Sequence, residues 1–303
     1  MARVLTVAAA QLGPVQRSHS RKEVVERLIT HLRDAKKQDC TLVVFPELAL
    51  TTFFPRWFMQ EPQEIDSFFE SDMPNQDTQP LFSEARRLGL GFMLGYAELH
   101  GEKDTTHHYN TSILVDASAR IVGKYRKVHL PGHAEQDPKR PFQHLEQRYF
   151  ERGDGFSVWD AFGARIGMCL CNDRRWSETY RVMGLQGVEL IALGYNTPKH
   201  YPPAPEFDSD AVFHNHLVMQ AGAHQNGSWI VAAAKAGNEE SVPMIGGSCI
   251  ISPSGHIVAQ AKTEADELVV ADCDLDLAQR YKHTLFNFQN HRYPPAYTAI
   301  CRN

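Results

Sequence analysis

Short apolar, β-branched runs alternate with amphipathic helical stretches along nearly all of this chain's 303 residues. That alternation admits few folds: strands must pair into a mixed sheet system, with helices packed on the outside. The first apolar run covers 4–10. The stretch 18–38 then places Val24, Val25, Leu28, Ile29, Leu32 and Ala35 at helical spacing. A strand at 41–45 ends at Pro46, and a helix at 79–88 stops near Gly89. Strands follow at 91–99, 110–116 and 120–127, the last two joined as a hairpin.

The second half repeats the alternation. A strand at 164–171 leads to a helix at 176–187 with Trp176, Tyr180 and Met183 on one face. A strand at 188–196 precedes a helix at 209–226, predicted to turn Phe213, Leu217, Gln220 and Ala221 inward. A strand at 228–237, a hairpin about 253–255 and a strand at 266–275 complete the pattern. No linker, low-complexity stretch or fixed-period repeat interrupts it, so one domain over 1–303 is expected. The aromatic tail 284–303 is expected to pack on its own body or on a neighbouring subunit. Segments 54–78 and 130–155 exceed ordinary loop lengths, which marks them as functional or loosely ordered.

Composition narrows the partners. Lys and Arg number 31 against 36 Asp and Glu, a net charge of −5. A mildly acidic chain is not expected to bind nucleic acid or an anionic membrane. No apolar run approaches the ~20 residues of a membrane span. The N-terminal MARVLTVAAAQLGPVQ is too short in apolar residues for a secretory signal and reads as a buried strand. The cysteines at 40, 169, 171, 249, 273 and 301 form no paired motif. They read as reduced thiols of a cytoplasmic protein.

Three strand ends carry chemically useful side chains. In FPEL, Glu47 lies between apolar runs, where burial raises a carboxyl pKa and suits it to general base work. A structural ion pair or a helix cap would explain the same glutamate. In GKYRKVHLP, alternation puts Lys124 and Arg126 on one strand face and Lys127 on the other. An inward lysine suits oxyanion stabilisation, and a solvated strand end is the plainer alternative. In GMCLCNDRRW, Cys171 ends a strand before a turn into a helix, beside Arg174 and Arg175. Helix dipole and cations predict a lowered thiol pKa. Cys169 reads as inert packing. The two arginines match a substrate carboxylate, or pair structurally with Asp173 or Glu178. Together the three ends offer a nucleophile, a base and an oxyanion partner, a set for acyl transfer.

These motifs, in this order and separation, resemble the Glu, Lys and Cys motifs of the nitrilase superfamily of carbon–nitrogen hydrolases. The likeness covers nearly the whole chain. Within the superfamily, FPELALTTFFPRW, HLPGH, RPFQHLEQRYFE, CNDRRW, RVMGLQG and GYNTP are similar to the N-carbamoyl-D-amino acid amidohydrolases. The resemblance implies a four-layer αββα sandwich assembled as a homodimer or homotetramer through helix and tail contacts. It implies Glu47 as base, Lys127 as oxyanion stabiliser, Cys171 as nucleophile and Glu146 as a second carboxylate. It also implies that Asn172, Arg174, Arg175, Asn196 and Thr197 hold the substrate, supported by His129 and His144. The implied substrate is a small N-carbamoyl amino acid, and no metal or organic cofactor is expected.

Other readings remain at this point. A β-ureidopropionase-like amidohydrolase, a nitrilase or an aliphatic amidase would use the same triad. The double arginine favours an acidic substrate over simple nitriles and amides. A non-catalytic binding subunit would not need all three triad residues. A metal centre at His107–His108, His129 with His133, or His214 with His216 is disfavoured: the first pair is expected to be solvated in a polar loop, and helical i, i+2 positions do not face each other.

Overall fold

The apolar runs of the first half pair into one sheet and those of the second half into another. The computed structural model describes residues 2–103, 105–140 and 143–301. Residues 141 and 142 of the RPFQHLEQRYFE motif, and the last two of the tail, lie outside the described residues. The first half supplies β1 (Val4–Gln11), β2 (Leu42–Val44), β3 (Gly91–Glu102), β4 (Thr105–Val115) and β5 (Ile121–Arg126). The second supplies β6 (Val158–Ala161), β7 (Ala164–Leu170), β8 (Leu190–Tyr195), β9 (Trp229–Ala234), β12 (Cys249–Ile251) and β13 (Ile257–Gln260). A small hairpin of β10 (Ala236–Glu239) and β11 (Val242–Ile245) is inserted before β12, and β14 (Glu267–Asp274) returns to the first sheet.

Strand order is β14-β1-β2-β3-β4-β5 in one sheet and β6-β7-β8-β9-β12-β13 in the other. Read in those directions, both sheets pair antiparallel, parallel, parallel, antiparallel, antiparallel. The halves share a topology although the sequence shows no repeat.

The sheets stack face to face, β1 against β9 and β2 and β3 against β8. Side chains alternate as the pleat requires. Val7, Ala9, Leu42, Val44 and Met93 point into the inter-sheet core with Ile166, Met168, Leu190, Ala192 and Val231. Ala8, Ala10, Val43, Phe92 and Leu94 point the other way, under helices. Strands buried on both faces therefore read as unbroken apolar runs.

Helices α1 (Arg21–Lys36) and α3 (Gln79–Leu88) cover the first sheet, joined by the short α2 (Pro62–Asp66) within the long loop between them. Ser20 and Glu23 form a reciprocal cap at the start of α1. Gly89, at φ 65°, ends α3 in the left-handed conformation that glycine adopts without strain. After the short α4 (Glu146–Tyr149), helices α5 (Ser177–Leu185) and α6 (Ala211–Asn226) cover the second sheet. Helices α7 (Leu275–His283) and α8 (Phe288–His291) begin the tail.

Two expectations about these helices are corrected. Trp176 precedes α5 and is 48% exposed, because its indole stacks on the His129 ring rather than joining Tyr180 and Met183 inside. On α6, Phe213 is 62% and Leu217 47% exposed, and neither Gln220 nor Ala221 is buried. The inward face carries Asn215, His216, Met219, Gly222, Ala223 and Asn226. Buried polar side chains are tolerated there because they are bonded: Asn215 to Arg174 and Tyr195, His216 to the Gly247 carbonyl.

The two long irregular segments fold against each other. Gln143 N donates to Arg56 O and Leu145 N to Pro55 O. Phe53, Phe54, Phe68, Leu145, Tyr149 and Phe150 form a satellite core, with Phe54 stacked on Phe68 at 4.7 Å. This wall stands over one end of the sandwich and brings Glu146 to it.

Candidate active site

The parallel strands β2, β7 and β8 deliver residues at their carboxyl ends, the usual position for ligand sites in open α/β sheets. Glu47 follows β2, Cys171 follows β7, and Asn196 and Thr197 follow β8. Lys127 follows the antiparallel β5, its backbone N–H bonded to Asn110 O. Glu47 is gripped from both sheets. A Cβ at Gly95 of β3 would sit 2.8 Å from Glu47 Cα, and one at Gly194 of β8 would sit 2.6 Å from Glu47 N. Only glycine admits that approach. Leu48, next to the base, and Cys171, which carries the thiol, hold strained φ values of 45° and 43°.

Glu47, Lys127 and Glu146 are fully buried, and Cys171 is 6% exposed. Lys127 Nζ donates to Glu47 Oε1 at 2.6 Å and to Glu146 Oε2 at 2.5 Å. Asn110 Nδ2 also donates to Glu47 Oε1, at 2.8 Å. Glu47 Oε2 has no partner among the described residues. One oxygen from each carboxylate and Cys171 Sγ lie within 4.8 Å of one another. The Lys127 ammonium already occupies this cluster, which opposes a metal cation there.

Charge and burial set the proton inventory. Burial pushes the Glu47 carboxyl up and Glu146 adds to it, with Lys127 opposing. Burial also works upward on Glu146, but Lys127 and His144 outweigh it and hold that carboxyl low. Burial alone would lower Lys127, yet the two carboxylates hold it well above its ordinary value. Cys171 corrects the sequence reading: its thiol is raised, not lowered. Burial dominates and the Glu47 charge adds, while Lys127 and Arg174 only partly offset them. The turn after it, Cys171–Arg175, is a 3-10 turn, with α5 starting only at Ser177. Cys169 is fully buried, and burial raises its thiol strongly, in keeping with packing.

The remaining predicted residues divide into committed and uncommitted groups. Arg174 is 1% exposed and donates to Cys171 O at 2.6 Å, Asn215 Oδ1 at 2.7 Å and Thr197 Oγ1 at 3.0 Å, over the Tyr195 ring. Its guanidinium is thus spent on the protein and braces the nucleophile turn. Arg175 is exposed, within electrostatic reach of Cys171, and makes no hydrogen bond or ion pair among the described residues. Thr197 Oγ1 lies 3.6 Å from Cys171 Sγ. Asn196 is 1% exposed, and neither atom of its side-chain amide has a partner among the described residues. Asn172 Nδ2 donates to His129 O at 3.2 Å. His144 Nε2 is 3.4 Å from Glu146 Oε1. A cavity of about 210 Å³ opens beside His144, bounded also by His133, Arg140, Pro198, His200 and Tyr201.

Alternation places these residues as expected: Lys124 and Arg126 both pair with Glu98, on the face away from Lys127. The sequence reading missed Asn110, Asp173, Tyr195 and Asn215. Asp173 pairs with neither arginine. It accepts from Tyr125 Oη and Leu170 N and lies 2.9 Å from His129 Nδ1. The one sequence signal was polarity in buried company, as with Asn110 at the head of an apolar strand.

Known proteins resemble this chain in sequence and fold. A family model described as carbon–nitrogen hydrolase matches residues 6–283. An N-carbamoylputrescine amidase from Arabidopsis thaliana is 30% identical over 91% of this chain and 88% of its own. A citrullinase from Francisella tularensis is 26% identical over 98% of this chain and 99% of its own. The crystal structure of a carbon–nitrogen hydrolase from Helicobacter pylori superposes with a TM-score of 0.84 at 20% identity, covering 99% of each chain.

Proposed function

The chain belongs to the carbon–nitrogen hydrolase family, and from that premise we propose that it hydrolyses N-carbamoyl-D-amino acids to the D-amino acid, ammonia and carbon dioxide. The observation that carries the reading is Arg175, an unpaired guanidinium within electrostatic reach of Cys171. It suits a substrate that bears a carboxylate near the bond to be cleaved. The buried, unpartnered amide of Asn196 supports a ureido group, since an amide and a ureide complement each other donor for acceptor. A relative named for an N-carbamoyl substrate supports it as well. Preference for the D form rests on the sequence likeness alone.

The chemistry follows from the cluster. Cys171 gives its proton to Glu47 as the sulfur attacks the ureido carbon. The carbonyl oxygen takes up negative charge beside Lys127, whose charge is worth on the order of 3–4 kcal/mol of barrier in a dry site. One nitrogen leaves with the Glu47 proton, and a thiocarbamate, sulfur and the second nitrogen on one carbonyl, remains on Cys171. Glu47 then takes a proton from water as the water attacks the thiocarbamate, and returns that proton to the departing sulfur to restore the thiol. The carbamic acid formed breaks down to carbon dioxide and the second amine. One water is consumed overall. Glu146 keeps Lys127 charged and placed throughout.

Ammonia and amino acid release from N-carbamoyl-D- and L-phenylalanine, with Cys171→Ala as control, tests this. Release from the D form alone, abolished in Cys171→Ala, is expected. Release from the L form alone or equally from both overturns the stereochemical reading. Release from neither, with simple amides cleaved, replaces the substrate and leaves the family chemistry.

A second copy of the chain is the proposed partner. Val182 and Leu185 on α5 and Phe213 and Leu217 on α6 are exposed on helices that pack together. The tail lies alongside, with Arg181 over the Phe288 ring. Phe213→Asp should lower the mass of the species in analytical ultracentrifugation. A wild-type chain sedimenting as a monomer removes this reading. We also place the protein in the cytoplasm, supported by its six free cysteines.

A further inference from the structure

Asp173 stands outside the proposed chemistry, yet it is fully buried and its two oxygens are crowded with donors. Oδ2 accepts from Tyr125 Oη at 2.6 Å and from Leu170 N at 3.0 Å. Oδ1 accepts from His129 N at 3.0 Å and from the His129 ring at 2.9 Å. Their positions in the chain matter. Tyr125 is two residues before Lys127, His129 two residues after it, and Leu170 immediately precedes Cys171. Tyr125 belongs to a strand of one sheet and Leu170 to a strand of the other. One carboxylate therefore brackets the lysine and reaches across to the nucleophile turn.

We infer that Asp173 is a positioning residue that locks the Lys127 segment to the Cys171 turn, so that ammonium and sulfur meet the same reacting carbon. The strained φ of Cys171 needs such over-determination, since an isolated turn would relax. Arg174 also braces the turn, through the Cys171 carbonyl. An acid is required because all four contacts are donors. A carboxylate accepts four, whereas an asparagine has one acceptor oxygen and must release the tyrosine or the histidine side. The aligned bonds also fix the His129 ring, which stacks between Phe156 and the exposed Trp176. Misplacement by a fraction of an ångström is enough to slow a reaction of this kind.

The inference rests on the Glu47–Lys127–Cys171 reading, so its test has one arm that needs no substrate. The full-length wild type, Asp173→Asn, Tyr125→Phe and Cys171→Ala are compared. The first arm is the rate of iodoacetamide alkylation at Cys171, mapped by mass across pH 6–9. The second is turnover of N-carbamoyl-D-phenylalanine. Asp173→Asn is expected to slow alkylation at least ~10-fold and to lower kcat ~100-fold with KM changed by less than about threefold. Tyr125→Phe should shift both in the same direction by about 3- to 10-fold. Wild-type alkylation and kcat in Asp173→Asn overturn the inference. So does a kcat loss that equals the loss of titratable Cys171, which would mark a folding role only. If Asp173→Asn does not fold, an unchanged Tyr125→Phe overturns it. A Cys171→Ala enzyme that still turns over removes the triad and the inference together. Failure of the wild type on this substrate removes only the substrate reading, and alkylation still decides.

Discussion

Replacing Lys127 by methionine is the most informative perturbation of the buried cluster. Its ammonium lies 2.6 and 2.5 Å from two carboxylates, and all three side chains are fully buried. Methionine fills similar space and removes the charge. Glu47 and Glu146 then face each other with no cation between them, and at least one must hold a proton at neutral pH. The ordinary carboxyl value is 4.5. Keeping one group protonated at pH 7 spans about 2.5 units, or about 3 kcal/mol at ~1.36 kcal/mol per unit. That agrees with the roughly 3–5 kcal/mol cost of breaking a buried pair. The sign is fixed by linkage. A carboxyl raised in the fold binds a proton that the unfolded chain has released, so the variant loses stability as pH rises above 4.5. Urea denaturation of wild type and Lys127→Met at pH 5 and pH 7 reads this directly. The gap should be about 3 kcal/mol at pH 7 and under about 1 kcal/mol at pH 5. A gap that is equal at both pH values, or absent at pH 7, refutes the electrostatic account of the cluster. Turnover should be lost in either case.

Three further outcomes are expected. Asn110→Ala removes the second donor on Glu47 Oε1 and pushes that carboxyl further up; kcat should fall about 10- to 100-fold, and the acid limb of the pH–rate profile should move to higher pH. Glu98 is held down to about 2, because hydrogen bonds from Arg126, Lys124 and Thr111 outweigh its burial. Its stabilisation of up to about 3 kcal/mol is complete above 4.5 and lost as pH falls through 2, so Glu98→Gln should flatten acid denaturation measured over that window. Arg175→Ala should raise KM for carboxylated ureides by roughly 10-fold or more while leaving neutral ureas unchanged, and equal effects on both would sink the carboxylate role.

Much of the fold was legible because its strands are short and buried on both faces. TLVVF and the run around Ile191 could hardly be anything else once flanked by helical periodicity. Helix α6 was misread for the converse reason. Periodicity assigns the apolar face to the core, but here Asn215 and His216 face inward to brace Arg174 and the Gly247 carbonyl. The apolar Phe213 and Leu217 are left outside. A sequence shows which residues are apolar, and tertiary hydrogen bonding decides which face is covered. The matching topology of the two sheets was equally hidden, since pairing order leaves no mark on side-chain types.

The position of Glu47, Lys127 and Cys171 was legible because each ends a strand, and strand ends converge when sheets stack. The protonation of Cys171 was not. Two arginines next in sequence argued for a thiolate, but the sequence does not place Glu47 opposite the sulfur or show that the site is closed. Those two facts decide the outcome, and they act on both groups. The same burial that raises Cys171 also raises Glu47. Burial keeps the proton on the sulfur and makes Glu47 a stronger acceptor for it, so the proton can cross when an electrophile arrives. At rest the sulfur stays neutral, and the charge it needs is released beside Lys127, where the oxyanion also forms. The closed, cation-centred site thus favours attack on a bound substrate over reaction of an idle thiol.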